Sequence, residues 1–166
     1  MVVKTRQLNL GCGETILDGY ENYDLYPCDG RVRKLDLNKL PLSFEDNSVD
    51  FILLSHVFEH LDVNHYDFMK EIHRILKHAG LVEIRTPVHH FCCEHTIGYM
   101  PSYYFNTICN ITNNKSYKSY RFHKFSFTHN TKGGFWGNLF KCFPVLEKVI
   151  PFMNTGEYIW KLEKVV

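Results

Sequence analysis

The chain lacks several features that would assign a protein to a broad class at once. No apolar run approaches the roughly 20 residues of a membrane-spanning helix, and the first nine residues hold no apolar stretch of the length a secretory signal needs. The six cysteines include no Cys-x-x-Cys pair of the kind that zinc sites use. Repeats and low-complexity tracts are also missing. These absences predict a cytoplasmic protein with free thiols, no membrane partner and no metal.

Charge of one sign does not dominate either, because the formal net charge is +1. The charges are nevertheless uneven: residues 1–87 carry 10 basic and 14 acidic side chains, whereas residues 88–166 carry nine and four. The basic residues are scattered rather than clustered, which argues against a nucleic-acid partner. The positive surplus of the second half would still suit an anionic acceptor, or it is an ordinary solvated surface.

With 166 residues, of which 45% are hydrophobic, the chain is long enough for one domain with its own core. Residues 7–87 alternate between short strands, predicted at 7–10, 20–24, 31–37, 49–55 and 81–85, and a helix. The helix is expected to start at an N-cap, Asp62, and to end near Lys77 and His78, with Gly80 closing it. This alternation predicts an α/β fold with a doubly wound, mostly parallel, Rossmann-like sheet.

The rest of the chain has a different composition. Residues 88–143 are rich in His, Tyr, Phe and Asn with weak periodicity, and we expect them to form a cap or lid over the acceptor. Within this range, short helices are predicted at 101–109 and 134–143, and Tyr99, Tyr103, Tyr104 and Phe105 would either stack on a sugar or pack in the core. Residues 144–166 are predicted to form a terminal antiparallel hairpin of strands 145–152 and 157–166. All three parts, 7–87, 88–143 and 144–166, belong to a single domain spanning 1–166.

Polar and glycine residues follow the first three predicted strands, at the point where each strand ends. Gly11-Cys12-Gly13 follows the first strand and exposes backbone N–H groups. Asp24 ends the second strand, where a carboxylate can accept hydrogen bonds from both hydroxyls of a ribose, and Asp36-Leu37 ends the third. In an open parallel sheet the carboxyl ends of the strands form the ligand-binding edge. The ordered set therefore predicts one binding site for a nucleoside-like ligand.

These residues belong to a wider set of motifs spread over residues 7–87. The set comprises 8–13 (Leu-Asn-Leu-Gly-Cys-Gly), 22–24 (Asn-Tyr-Asp), 36–37 (Asp-Leu), 40–42 (Leu-Pro-Leu), 46–50 (Asp-Asn-Ser-Val-Asp), 55–61 (Ser-His-Val-Phe-Glu-His-Leu) and 74–80 (Arg-Ile-Leu-Lys-His-Ala-Gly). In combination they resemble the class I S-adenosylmethionine-dependent methyltransferases, in particular a short bacterial and archaeal branch with a truncated first helix. Departures from the family pattern include Asn9 in place of an acid and Thr15 in place of a third glycine.

The resemblance implies that S-adenosylmethionine is the cofactor and that the residues at the sheet edge bind it. Gly11 and Gly13 would line its methionine part, Asp24 its ribose, Asp36 and Leu37 its adenine, and Ser55 and His56 would flank the methyl group. The full set of expected cofactor-binding residues is Asn9, Gly11, Cys12, Gly13, Asp24, Leu25, Asp36, Leu37, Ser55 and His56.

Transfer to a hydroxyl benefits from a general base. Histidines at or just beyond the strand ends are the candidates: His56 first, then His60 and His89, with His90 beside it. His89 also begins a segment rich in His and Cys, but its two cysteines, Cys92 and Cys93, are adjacent and cannot easily face one ion, so we expect no metal site.

The sequence predicts an enzyme that methylates a small-molecule or saccharide hydroxyl, by analogy with the branch it resembles. Two alternatives remain open: a non-catalytic S-adenosylmethionine-binding module, and a methyltransferase acting on protein or RNA. The sequence also leaves a homodimer open.

Overall fold

The computed structural model describes residues 5–87, 104–105, 121–131 and 156–165. The strands are β1 (Gln7–Leu10), β2 (Glu21–Asp24), β3 (Val32–Lys34), β4 (Val49–Ser55), β5 (Leu76–Pro87), β6 (Arg121–Thr131) and β7 (Gly156–Val165). A short 3₁₀ helix (Phe58–His60) and one α-helix, α1 (His65–Ile75), lie between β4 and β5.

The seven strands form one sheet in the order β3-β2-β1-β4-β5-β7-β6. Strands β1 to β5 are parallel to one another, whereas β7 runs antiparallel to both β5 and β6. The predicted α/β, Rossmann-like sheet is thereby confirmed, and the carboxyl ends of β1, β2 and β3 come to one edge.

The core lies between α1 and the central strands. Helix α1 contributes Phe68, Met69, Ile72 and Ile75, all fully buried, and the fully buried Ile52 and Leu54 of β4 belong to the same cluster. Burial of each such side chain contributes about 1.5–3 kcal/mol. The near-continuous apolar sequence of β4 is what a central parallel strand requires.

The ends of the helix differ from the sequence prediction. Asn64, not Asp62, is the N-cap, and its side-chain oxygen accepts hydrogen bonds from the N–H groups of Tyr66 and Asp67. The helix ends at Ile75, because Leu76 turns to extended backbone (φ −67°, ψ 141°). The last carbonyls are satisfied from outside the helix: Asn47 N donates to Arg74 O, and Ser48 N to Ile75 O.

Strand β5 therefore begins earlier than predicted, at Leu76. It pairs with Val49 there, and the register then shifts before Leu81 pairs with Phe51. The residue with positive φ in the intervening bulge is Ala79 (φ 58°) and not Gly80.

The predicted antiparallel pairing of the C-terminal strand is confirmed, but its partner strands differ from the predicted one. Arg121–Thr131, inside the range 88–143, is the edge strand β6, and its apolar alternation is interrupted by a register shift between Lys124 and Ser126. Strand β7 lies between β5 and β6 rather than pairing only with a hairpin neighbour. The predicted elements 134–143 and 145–152 lie outside the described residues.

The aromatic residues of the predicted 101–109 helix separate into two groups. Phe105 is fully buried and its ring centroid lies 5.0 Å from that of Phe58 and 4.8 Å from that of Trp160, so it packs in the core. Tyr104 packs against the same cluster, while Tyr99 and Tyr103 lie outside the described residues.

Candidate cofactor site

The loops that follow β1 and β2 are joined by backbone and side-chain hydrogen bonds. Gly11 N and Cys12 N both donate to Tyr23 O, at 2.8 and 3.0 Å. Gly13 N donates to Asp24 Oδ2 at 2.8 Å, and Tyr26 N donates to Asp24 Oδ1 at 2.9 Å. The carboxylate of Asp24 thus organises the loop on either side of it.

The two glycine positions of the first loop differ in what a side chain there would contact. Both adopt positive φ, +69° at Gly11 and +51° at Gly13. A Cβ at Gly11 would overlap the methyl groups of Val57, whereas a Cβ at Gly13 would meet nothing within 4 Å. Gly11 is therefore required by the packing of the protein itself, and Gly13 borders open space in which a ligand can approach the backbone.

Asn9 lies beneath this loop and not on its surface. It is 2% exposed, and its Nδ2 donates to Thr15 O and to Asn22 Oδ1, both at 2.9 Å. Asn22 Oδ1 also accepts from Leu17 N at 3.0 Å, and its Nδ2 donates to Leu17 O and Tyr20 O. These two amides hold the segment where the family that the chain resembles usually has a first helix.

The loop after β3 extends the same edge. Leu35 N donates to Asp24 O at 2.9 Å, which places Asp36 next to the β2 loop. Asp36 Oδ1 accepts from Asn38 N, and Lys39 Nζ lies 3.3 Å from Asp36 Oδ2. Leu37 is buried, and Leu25 is half-buried.

The donor and acceptor groups at this edge fit S-adenosylmethionine. Each oxygen of Asp24 accepts one hydrogen bond from the protein, and a carboxylate offers about four acceptor positions, so two remain for ribose hydroxyls. The space beside Gly13 is open to a ligand, whereas the side chain of Leu37, beside Asp36, is 7% exposed and belongs to the core. The structure thus brings together Gly11, Cys12, Gly13, Asp24, Leu25, Asp36 and Leu37.

Ser55 and His56 lie on the other side of β1, at the end of β4. His56 has positive φ (55°), and its N–H donates to Arg85 O at 2.9 Å. Its Nε2 lies 3.2 Å from Glu157 Oε2, and its Nδ1 lies 3.7 Å from Glu59 Oε1. Glu59 first and Glu157 second raise the pKa of His56 above its ordinary value. Both ring nitrogens therefore face carboxylates, which favour the charged imidazolium over the neutral ring.

Of the other candidates for the general base, only His60 lies among the described residues. His60 is half-buried with its Nε2 4.0 Å from Glu59 Oε1. His89 and His90 lie outside the described residues. No group of three or more potential metal-ligating side chains occurs among the residues that the structure describes.

Sequence reasoning gave no role to Asn22 and Glu59, although both lie in the motifs quoted above, and it did not find Glu157. Glu59 is 2% exposed, and its Oε2 has no hydrogen-bond partner within the described part of the chain. The sequence signal for Glu59 was its position between two apolar residues, Phe58 and Leu61, both of which are buried. Glu157 could not be found, because it lies 101 residues from His56 in sequence.

Comparison with protein families gives a match to a model described as a methyltransferase domain, over residues 20–84. Two curated relatives are both named ribosomal RNA-processing protein 8. The one from Caenorhabditis elegans is 32% identical over 83 residues, which is 46% of this chain and 23% of that protein. The one from Caenorhabditis briggsae is 32% identical over 88 residues, 49% of this chain and 25% of that protein. The match therefore spans about a quarter of the length of these relatives.

Solved structures with the same fold cover nearly the whole chain. A SAM-dependent methyltransferase from Archaeoglobus fulgidus has a TM-score of 0.60 at 16% identity, covering 96% of this chain and 86% of that one. A SAM-dependent methyltransferase from Methanosarcina mazei has a TM-score of 0.60 at 13% identity, covering 97% and 92%. The [4+2]-cyclase SpnF has a TM-score of 0.62 at 12% identity, covering 98% and 75%.

At these identities the structural neighbours show the fold alone, and the family model adds a methyltransferase-domain match over residues 20–84. No helix among the described residues is long and apolar enough to cross a membrane. The domain match over residues 20–84, the strand order and the glycine and acidic residues at the sheet edge agree in supporting a class I S-adenosylmethionine-dependent methyltransferase, with S-adenosylmethionine as the cofactor.

Proposed function

We propose that the chain binds S-adenosylmethionine along the carboxyl edge of β1, β2 and β3 and transfers its methyl group to an acceptor. The observation that carries the proposal is the contact between Gly13 N and Asp24 Oδ2, which sets a backbone turn and a carboxylate side by side next to open space. Gly13 would border the methionine part, Asp24 would accept from the ribose hydroxyls, and Asp36 with Leu37 would contact the adenine. Asn9 supports the loop from below.

The cofactor supplies an activated methyl group on a sulfonium, so the protein has to align the acceptor and exclude water. Ser55 and His56, at the end of β4, would form the wall on the acceptor side. Asp24 would fix the ribose and thereby the direction in which the cofactor presents its methyl group. None of these roles requires a side chain to become covalently modified.

For a hydroxyl acceptor, we assign His56 as the general base. Its Nε2 would accept the proton of the acceptor hydroxyl after Glu157 has moved away from that nitrogen. Glu59 would stay on the Nδ1 side and stabilise the resulting imidazolium, as a buried carboxylate does for a catalytic histidine. His60 and His89 are the alternative bases. Substituting His56 with alanine should then lower turnover by roughly 100-fold or more while cofactor affinity changes little.

We retain a small-molecule or saccharide hydroxyl as the first acceptor class, by analogy with the branch that the chain resembles. RNA is the second candidate. It is favoured by the likeness to proteins named for ribosomal RNA processing and by the positive surplus of residues 88–166. Transfer of a radioactive methyl group to total RNA and, in parallel, to a metabolite and saccharide panel distinguishes the two classes, and no transfer to either would favour a binding module.

The cofactor assignment is tested by changing Asp24 to asparagine and measuring S-adenosylmethionine binding by calorimetry. Each hydrogen bond to a charged group contributes about 1.5–3 kcal/mol, so we expect affinity to fall at least tenfold. Asp18→Asn is the matched control. The Asp18 side chain is fully exposed, and its Oδ1 lies 3.9 Å from Nη1 of the exposed Arg31, so the same change of charge there should leave cofactor affinity unchanged. Unchanged affinity in the folded Asp24 variant would overturn the assignment of this edge.

A further inference from the structure

Two cysteines from different loops converge on the proposed cofactor loop. Cys12, after β1, has its Sγ 3.5 Å from Gly13 O, and Cys28, after β2, has its Sγ 3.3 Å from the same oxygen. The two sulfur atoms can therefore be no farther apart than these two distances combined. Neither thiol is in a disulfide, Cys12 is buried and Cys28 is exposed.

Both thiols lie beside the groups that would hold the cofactor. They share the carbonyl of Gly13, whose N–H donates to Asp24. The charges of Asp24 and Cys28, together with burial as the larger cause, raise the pKa of Cys12. Cys28 is thus the thiol that a small oxidant reaches first, and Cys12 is the thiol held next to it.

We propose that Cys12 and Cys28 form a reversible disulfide under peroxide and that this bond closes the cofactor site. The effect on binding rests on the proposed function, whereas the bond itself does not. The thiolate of Cys28 attacks a peroxide oxygen, so an S–O bond forms, the O–O bond breaks and hydroxide leaves, which takes up the proton that the Cys28 thiol released and becomes water. The thiolate of Cys12 then attacks the Cys28 sulfur, an S–S bond forms, and the S–O bond breaks to release hydroxide, which takes up the proton of the Cys12 thiol and becomes a second water. The two thiols lose two electrons, which reduce one peroxide to two waters.

The bond would change the site by geometry. A disulfide brings two sulfurs to about 2.05 Å and two Cα atoms usually to 4.4–6.8 Å. The loops after β1 and β2 would therefore be drawn together across the open space beside Gly13, and Gly13 and Asp24 would lose their freedom to accommodate a ligand. A thiol of raised pKa is a slow nucleophile at neutral pH, so formation of the bond should accelerate as the pH rises.

The cross-link is tested on the full chain by peroxide treatment, blocking of remaining thiols and tryptic digestion. Arg6 and Arg31 bound a single tryptic peptide, residues 7–31, which contains Cys12 and Cys28 and no other cysteine. We expect this peptide to lose two hydrogens in mass and to escape blocking until dithiothreitol is added. S-adenosylmethionine affinity of the oxidised protein should fall at least tenfold and return on reduction.

Cys28→Ser is the matched control, because an exposed serine can donate to the same carbonyl but cannot form the bond; Cys28→Ala is a second variant. Both should bind the cofactor like the reduced protein and keep that affinity in peroxide. Oxygen atoms added to the 7–31 peptide without a cross-link, or bonds to Cys92, Cys93, Cys109 or Cys142 instead, would overturn the proposal. If the cross-linked protein bound S-adenosylmethionine with the affinity of the reduced protein, the proposal that the disulfide closes the cofactor site would be wrong. Failure of the reduced protein to bind would instead refute the proposed function and leave the mass result standing.

Discussion

Substitution of Asn22 tests whether its side-chain amide holds the segment after Gly13, where the chain has a loop in place of a first helix. Its side chain makes four hydrogen bonds, one with Asn9 Nδ2, two with the backbone of Leu17 and one with Tyr20 O. Asn22 is 4% exposed, so these bonds are not shared with bulk water. The change to alanine removes all four and leaves the buried amide of Asn9 with only one of its partners.

The magnitude follows from the bonds. A neutral hydrogen bond contributes about 0.5–1.5 kcal/mol net, and water can reach some of the groups freed in the half-buried Leu17 and Tyr20. We therefore expect Asn22→Ala to lower the free energy of unfolding by about 2–4 kcal/mol. A domain of ordinary stability, about 5–15 kcal/mol, stays folded after such a loss.

Urea denaturation followed by circular dichroism measures the effect. The matched control is Gln7→Ala on the neighbouring strand, because the Gln7 amide makes one exposed hydrogen bond, with Thr5 Oγ1. That variant should change stability by less than about 0.5 kcal/mol. A loss below about 1 kcal/mol for Asn22→Ala would show that the two amides do not hold the segment after Gly13.

Two further predictions concern the cofactor edge and its neighbour His56. Gly13→Ala and Gly19→Ala impose similar backbone strain, since both glycines have positive φ and open space for a Cβ. Only Gly13→Ala should weaken S-adenosylmethionine binding, as measured by calorimetry. Equal affinities of the two variants would show that Gly13 is not part of the cofactor site. His56 has a raised pKa in the folded state, so its contribution to stability is present below its unfolded value of about 6.5 and is lost as the pH rises through the folded value. His56→Gln should therefore destabilise the protein at about pH 5.5 more than at about pH 9, and a pH-independent difference in urea denaturation would contradict the pairing with Glu59 and Glu157.

The sequence by itself determined the strands whose signals are local. Strand β4 matches its predicted bounds, 49–55, because a near-continuous apolar run can only be a buried strand or helix and is too short for the latter. The glycine turn, Asp24 and Asp36 were placed at one edge because parallel strands end together. Their motifs also carried the family resemblance.

Tertiary structure decided everything that depends on residues far apart in sequence. The last carbonyls of α1 are satisfied by the amides of Asn47 and Ser48, each 27 residues from its partner, and the helix does not extend to Gly80. Strand β6 escaped prediction because an edge strand with a register shift has no clear alternation.

The candidate site divides in the same way. Sequence position could put His56 at the end of β4, but only the folded chain brings Glu157 of β7 to its Nε2 and the buried Glu59 towards its Nδ1. Likewise, Asn9 looked like a cofactor contact by its place in the motif, whereas its burial and its bonds to Thr15 and Asn22 make it a support of the loop. Local residue types determined which groups stand at the edge, and long-range packing determined their partners, because hydrogen bonds and electric fields act through space and not along the chain.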